Sequence, residues 1–331
     1  MMQLNQIGQS IARKFSKGSA SGRQMIVLFS ITMMLLITGV LVNPKFLSPA
    51  NIGNILAMSS LLGFVAAGQT LVILSGGEGI DLSVGSVMSM GAVLAAWFIN
   101  GEDANLLSAF IIVLSAGAFF GIINSIGILI TKIPPLVMTL AMTSVLTSLQ
   151  QIFTGGHPKG VPSELAKAIG TGRIGDFLPW LAVLWIAEII LLHFLLRRTA
   201  FGRQLYASGN NYNAAILSGV RGKLIRSLAY VMCSVLSAFA GFWLCAYNGV
   251  VYVDTAASFV MPSVAAVVIG GTSLAGGRGS NWGTVIGAII LTVINSLLVM
   301  FNTDEIGRLL INGMLLLVLL AVYTRQPSIR Q

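Results

Sequence analysis

The sequence predicts an all-α polytopic membrane protein with about ten transmembrane helices, some of them glycine-broken or re-entrant. Three observations carry that prediction. Of the 331 residues, 56% are hydrophobic and only 9% charged, whereas a soluble domain carries roughly a quarter charged residues. Apolar runs recur at about the twenty residues that a helix needs to cross a bilayer. The basic residues also segregate to one side when those runs are threaded alternately through a membrane.

In order, the segment 1–23 is basic (Arg13, Lys14, Lys17, Arg23) and reads as a cytoplasmic N-terminal segment. The apolar run behind it lacks a small-residue cleavage site and exceeds a signal-peptide core, so it reads as an uncleaved first span. Spans are then expected near 24–43, 52–75, 81–99, 105–130, 134–153, 178–196, 223–246, 258–275, 280–301 and 305–323. The eighth contains Pro262 and many glycines, which break the helix or make it re-enter. One membrane domain therefore fills 24–323, followed by a cytoplasmic tail, 324–331. With the N-terminus in the cytoplasm, the outer segments hold Lys45, Lys159, Lys167, Arg173 and Arg308, and the other fourteen of the 19 basic residues fall inside. That asymmetry fits ten spans with both ends cytoplasmic in a bacterial inner membrane. It also explains the net charge of +9 without nucleic acid as a partner. Cys233 and Cys245 share one apolar stretch and read as small packing residues rather than a disulfide framework.

Three connections stand apart. The outer segment 154–177 is long and polar and suits an external partner. The inner segment 197–226 is long and basic and carries a short helix-forming stretch, Asn213 to Leu217. The inner segment around 76–85 is glycine-rich and acidic, and irregular backbone at membrane depth must be covered by protein or line a water path. A weak echo links the glycine-rich joint 74–85 to a second one at 269–279. Duplicated halves, common in transporters, and ordinary helix ends both account for it.

The chain has no GxxxxGK[ST] phosphate loop, so any nucleotide hydrolysis must come from another subunit. Its two histidines, His157 and His193, have no metal-site spacing, and no nucleophile, base and orienting group form a set. The chain therefore reads as a non-enzyme that binds no metal or cofactor itself. Glu188 is the one acid well inside a span. A carboxylate there costs roughly 2.5–3.5 kcal/mol to insert, so it must face protein or enter neutral, as an interhelical hydrogen bonder, a water-facing group, or a proton or substrate site. The other polar residues are neutral. Gln69, Asn124, Gln150, Asn248 and Asn295 match the hydroxyls of a sugar path, and equally suit interhelical hydrogen bonds, each typically worth under about 1 kcal/mol.

Three ordered stretches carry a resemblance. Gly68-Gln-Thr-Leu-Val-Ile-Leu-Ser-Gly-Gly-Glu-Gly-Ile-Asp-Leu-Ser-Val-Gly-Ser86 resembles G-x-T-x-V-I-x-x-G-G-I-D-L-S-V-G-S. The run from Thr199 to Val220, through Phe201-Gly-Arg203 and Tyr206-Ala-Ser-Gly-Asn-Asn-Tyr-Asn-Ala-Ala-Ile-Leu-Ser-Gly-Val220, is similar to a cytoplasmic loop T-x-F-G-R-x-x-Y-A-x-G-G-N-x-x-A-A-x-L-S-G-I. Ala265-Ala-Val-Val-Ile-Gly-Gly-Thr-Ser-Leu-Ala-Gly-Gly-Arg-Gly279 resembles A-A-V-V-x-G-G-T-S-L-x-G-G-x-G and is followed by Gly283-Thr. All three patterns are those of the ribose/xylose/arabinose/galactoside-type permease subunits of ATP-binding-cassette importers.

That resemblance implies an importer of a monosaccharide or related polyol; the alternatives are the same architecture importing a nucleoside or other small hydroxylated solute, or an ion-coupled secondary transporter. A second permease would pair with this one, two cytoplasmic ATPases would supply ATP and magnesium, and a periplasmic binding protein would deliver the sugar. The 199–220 loop would dock on the ATPase, with Tyr206, Ala207, Gly209, Asn210, Asn211, Ala214, Ala215, Leu217, Ser218 and Gly219 as coupling residues; an interfacial helix on anionic lipid is the competing reading. Ala214, Ala215 and Leu217 would give the apolar contact, and a bulky residue at Gly209 would uncouple the ATPase without blocking insertion. Asp81 would cap the third span, Gly76, Gly77 and Gly85 would permit the turn before it, and Gly270, Gly271, Gly276 and Gly277 would form the matching hinge. Two departures stand out: Glu78 and Gly79 lengthen the first motif by one residue, and Asn210 replaces a loop glycine, where its tolerance of left-handed backbone would preserve a turn.

Overall fold

The computed structural model describes residues 25–314, except 158, 176, 305, 309 and 312. The predicted segments 1–23 and 324–331, and most of the tenth span, lie outside the described residues. Among the described residues, seven helices are long and apolar enough to cross a membrane. They are α1 (Met25–Val42), α2 (Pro49–Leu74), α4 (Leu106–Leu129), α5 (Pro135–Thr154), α7 (Trp180–Arg198), α10 (Gly222–Asn248) and α12 (Asn281–Met300). Each falls on a predicted span.

Two predicted spans are shorter. The third is α3, Val84–Ile99, and the eighth is only α11, Val260–Ile269. Pro262 sits in the first turn of α11, where a missing N–H costs nothing. The chain reaches α11 through bends and turns, with Asp254 left-handed (φ 60°), and a 3-10 turn, Ala257–Phe259. Its polar groups are met by protein: Ala256 N donates to Ser89 Oγ at 2.9 Å, and Asp254 N donates to Gln150 Oε1 at 2.9 Å. Non-helical chain thus enters the helical body only where side chains satisfy it. The eighth span is broken, as its proline and glycines allowed.

Four shorter elements lie outside the spans. They are α6 (Glu164–Thr171), α8 (Ala200–Asn210), α9 (Tyr212–Leu217) and a two-residue hairpin that pairs β1 (Arg173–Ile174) antiparallel with β2 (Leu178–Pro179). The outer segment 154–177 is therefore partly ordered by α6 and the hairpin.

α10 is the central mast, packing on α2, α3 and α4. Helices in lipid gain little from apolar burial against each other, so close packing at small residues takes over. Gly68 of α2 faces the Cys233 backbone, Gly91 of α3 faces Ala238, and Gly121 of α4 faces Val231 and Tyr230. Cys233 and Cys245 are buried and unpaired with each other, in the packing positions expected. A T-shaped aromatic cluster of Phe64, Phe110, Phe239, Phe242 and Trp243 fills the space beside α10.

Candidate functional site: an inner junction and a polar cavity

Two glycine pairs build the inner junction. α2 ends at Leu74 and α11 at Ile269, and in each following segment a Gly-Gly pair turns left-handed: Gly76 (φ 76°) and Gly77 (φ 70°), then Gly276 (φ 91°) and Gly277 (φ 69°). Side chains rarely adopt such backbone, whereas glycine does so freely. The two breaks touch, since a Cβ on Gly276 would come within 2.5 Å of the Gly76 Cα. Thr70 and Thr284, one from each neighbouring helix, share a hydroxyl hydrogen bond of 2.8 Å.

The α8–α9 segment is seated on both breaks. A Cβ on Gly209 would overlap the Leu74 carbonyl oxygen and come within 2.5 Å of Gly277 N. Tyr206 donates its hydroxyl to Gly279 O at 3.0 Å. Burial pushes the Tyr206 hydroxyl's pKa upward, opposed by the nearby Arg197, so the donor stays protonated. Arg226 completes the clamp: Nε donates to Ser75 O at 3.2 Å, and the guanidinium lies 4.0 Å from the Tyr212 ring centroid. All three sequence motifs, and three segments that the charge count put inside, meet here.

The residues expected to couple to an ATPase divide by exposure. Asn211 caps α9 by accepting from Ala214 N at 3.0 Å. Ala215 is buried against the body, while Ala207, Asn210, Ala214, Ser218 and Gly219 are exposed. The open apolar pair is Ile216 and Leu217, the latter 89% exposed; Ile216 was missed in the sequence. Gly219 is left-handed (φ 86°), whereas Gly209 and Asn210 lie in the helical run of α8. No left-handed turn exists at Asn210, so the substitution there needs no special backbone tolerance. The extra residue of the first motif is absorbed at Glu78 (φ 55°), an exposed position in the break. Gly85 faces Val260 and Ala256, and Gly270 and Gly271 end α11, the latter at φ 82°.

Asp81 is fully buried, and its Oδ1 accepts from Ser83 N at 2.9 Å and Ser83 Oγ at 2.6 Å. It secures the turn entering α3 rather than capping the helix from the N-cap position, which Ser83 occupies.

The five neutral polar residues separate cleanly. Gln69, Asn124 and Gln150 are fully buried and hold chain segments together. Gln69 Oε1 accepts from Asp81 N at 3.3 Å, Asn124 Nδ2 donates to Ser83 Oγ at 2.9 Å, and Gln150 Nε2 donates to Ser86 O at 3.2 Å. Asn248 is exposed at the end of α10. Asn295 lines a cavity of about 450 Å³ between α2, α11 and α12. Asn51, Asn54, Ser258, Phe259, Thr292, Ser296 and Arg308 line it as well. These were missed, although Asn51, Asn54 and Met58 on α2, and Thr292, Asn295, Ser296 and Val299 on α12, fall at helical spacing on one face. The volume lies within the roughly 300–1,000 Å³ of small-ligand sites. Amides and hydroxyls with one aromatic face suit a hydroxylated solute.

Long apolar helices, broken helices meeting at a junction, and a polar cavity between them define a multi-pass membrane transport subunit. The chain belongs to the family described as branched-chain amino acid transport system / permease component, whose pattern matches residues 51–319. It is thus a permease subunit of the ATP-binding-cassette importer class and not an enzyme. It is similar to the ribose import permease protein of Bacillus subtilis (strain 168), with 35% identity over 284 residues, 84% of this chain and 86% of that one. The ribose import permease protein of Escherichia coli (strain K12) is 32% identical over 313 residues, 94% of this chain and 96% of that one. The autoinducer 2 import system permease protein of Escherichia coli (strain K12 / DH10B) is 32% identical over 306 residues, 91% and 86% of the two chains. No solved structure matches this chain.

Proposed function

We propose that this permease carries a monosaccharide or related polyol across the bacterial inner membrane by alternating access, driven by ATP bound and hydrolysed with magnesium in a partner ATPase. Both termini face the cytoplasm, a second permease copy or paralogue completes the path, and an extracytoplasmic binding protein delivers the solute. The observation that carries this reading is the seating of α8–α9 on both helix breaks, with Ile216 and Leu217 facing away. A push on that exposed pair moves a rigid element wedged against Leu74, Gly277 and Gly279. The cavity beside Asn295 supplies amides and hydroxyls, with one cation at Arg308, as a hydroxyl-matching surface on the sugar's route. A second reading within the same architecture has a nucleoside, a signalling furanose or another small hydroxylated solute as the cargo; the autoinducer 2 relative shows that similar permeases are not confined to ribose.

The test is purification of the tagged permease in mild detergent with mass spectrometry of its partners, followed by uptake of radiolabelled sugars into reconstituted vesicles. The expected result is a co-purifying ATP-binding-cassette ATPase and uptake that requires ATP inside. A permease that arrives alone and transports without ATP overturns the reading.

A further inference from the structure

We propose that the polar nest around Asp81 is a binding site for a monovalent metal cation, Na⁺ or K⁺, that ties the α2–α3 break to α4 and α10. The Asp81 carboxylate is 0% exposed. The one ion pair among the described residues is Glu164–Lys167, on the surface, so no Lys or Arg pairs directly with Asp81; Arg226, which reaches the same break, is spent on Ser75 O and the Tyr212 ring. Asp81 Oδ1 is held by two donors from Ser83, and its Oδ2 is buried with no hydrogen-bond partner. A buried carboxylate without a counter-charge is costly to ionise.

The neighbouring orphan atoms are mostly oxygens. Asn124 donates through Nδ2 to Ser83 Oγ, which in turn donates to Asp81 Oδ1. That order of donors fixes the Asn124 amide and leaves its Oδ1 as a buried acceptor without a partner. On α10, the Tyr230 hydroxyl and Ser234 Oγ, four residues apart and therefore on one face, are buried and unpartnered as well. The packing brings the segments that carry these atoms together. Gly121, one turn before Asn124, lies against the Tyr230 carbonyl oxygen and the Ser234 Cβ. The Tyr230 hydroxyl would lie 3.3 Å from a Cβ on Gly79, two residues before Asp81. Gln69, whose Oε1 receives Asp81 N, lies 3.9 Å from the Cys233 sulfur on the same stretch of α10.

A carboxylate oxygen, an amide oxygen and two hydroxyl oxygens from three chain segments form a hard-oxygen set without sulfur or imidazole among the donors, the chemistry that alkali and alkaline-earth cations choose. One carboxylate matches one positive charge. The remaining orphan, Gln69 Nε2, is a donor and suits a water in the ion's shell. The ion is structural here: it neutralises Asp81 and fastens the break to the mast, and it does not travel with the solute.

The experiment is thermal unfolding of the purified permease in detergent, titrated with NaCl, KCl or choline chloride at constant ionic strength, with retention of radioactive ²²Na⁺ or ⁸⁶Rb⁺ as the direct readout. A saturable rise in Tm with one alkali cation but not with choline, together with about one ion retained per chain, is expected. Asp81→Asn should abolish both. Ser234→Ala removes one ligand from a folded protein and should weaken the apparent affinity by about five-fold, which keeps the proposal testable if Asp81→Asn fails to fold. Equal Tm in all three salts with no retained ion, or a Ser234→Ala affinity equal to that of the parent, overturns it and leaves a nest neutralised by protonation and filled by water.

Discussion

Gly277 donates its backbone N–H to the Leu74 carbonyl at 3.1 Å, and that bond joins the end of α2 to the break that follows α11. The last carbonyls of a helix have no partner within it, so Leu74 O is free to accept from a second element. Gly277 reaches it in a left-handed conformation, φ 69°. Gly209 of α8 lies against the same two residues, so three segments distant in sequence share one small volume.

This packing sets the effect of substituting Gly209. In helical backbone glycine is about 1 kcal/mol worse than alanine, so its presence in α8 reflects the approach of Leu74 O and Gly277 N rather than a turn. Gly209→Val forces backbone apart and should lower stability by about 1–3 kcal/mol, read as reduced Tm and poor recovery from detergent. The expectation of a folded but uncoupled variant gives way to one that is damaged in packing. Gly219→Ala is the control: at φ 86° with nothing within 4 Å of its Cβ position, it should cost only the roughly 1–2 kcal/mol of left-handed alanine and disturb the end of α9 alone. Equal Tm for Gly209→Val and the parent would refute the junction.

The exposed end of α9 makes the opposite prediction. Leu217 is 89% exposed, so Leu217→Asp should leave Tm unchanged. If Ile216 and Leu217 form the apolar centre of an ATPase contact, the charge should weaken co-purification of the ATPase by at least about ten-fold, as expected for a contact worth more than about 1 kcal/mol. Ile216→Asp should behave likewise. Unchanged ATPase recovery with both variants would move the docking surface elsewhere.

Much of this was legible in the sequence, for identifiable reasons. Span positions followed from apolar length, and the broken eighth span from Pro262 and its glycines. The three motifs identified the pieces of the junction, but not that Gly209 lies on Leu74 and Gly277, because close approach between distant segments leaves no local pattern. Polar side chains were the weakest point. Gln69, Asn124, Gln150 and Asn295 look alike in sequence, and what separates them is their surroundings: the first three are fully buried among packed segments, while Asn295 lines a cavity. The stripe of Asn51, Asn54 and Met58 was visible as periodicity, but only the fold shows that it faces Thr292 and Asn295 across a cavity.

That distinction separates two amide substitutions. Gln150 bonds both Ser86 O and Asp254 N, so Gln150→Leu removes two hydrogen bonds to backbone groups, one of them the half-buried Asp254 N–H, and should cost about 1–3 kcal/mol, seen as a drop in Tm. Asn295→Leu alters the cavity wall instead. Its expected signature is sugar uptake reduced by about ten-fold, the worth of roughly 1.4 kcal/mol, with basal ATPase activity of the assembled importer retained. Loss of uptake in neither variant, with stability intact in both, would exclude the cavity from the path.

Glu188 gives the last prediction. Both of its carboxylate oxygens are buried in α7 and lack a hydrogen-bond partner among the described residues, and it is absent from the cavity lining. His193 is engaged elsewhere, with its Nδ1 3.1 Å from Trp282 Nε1. A lone acid without a relay partner contributes nothing to carrying protons, and its burial costs stability. Glu188→Gln should therefore support uptake within about two-fold of the parent, the scale of a change below about 0.5 kcal/mol, with Tm equal or higher. The check is uptake in reconstituted vesicles at several pH values, beside thermal unfolding of the same preparations. Complete loss of transport in a variant that stays folded would place this carboxylate on the solute's or a proton's route and make coupling to ATP only part of the mechanism.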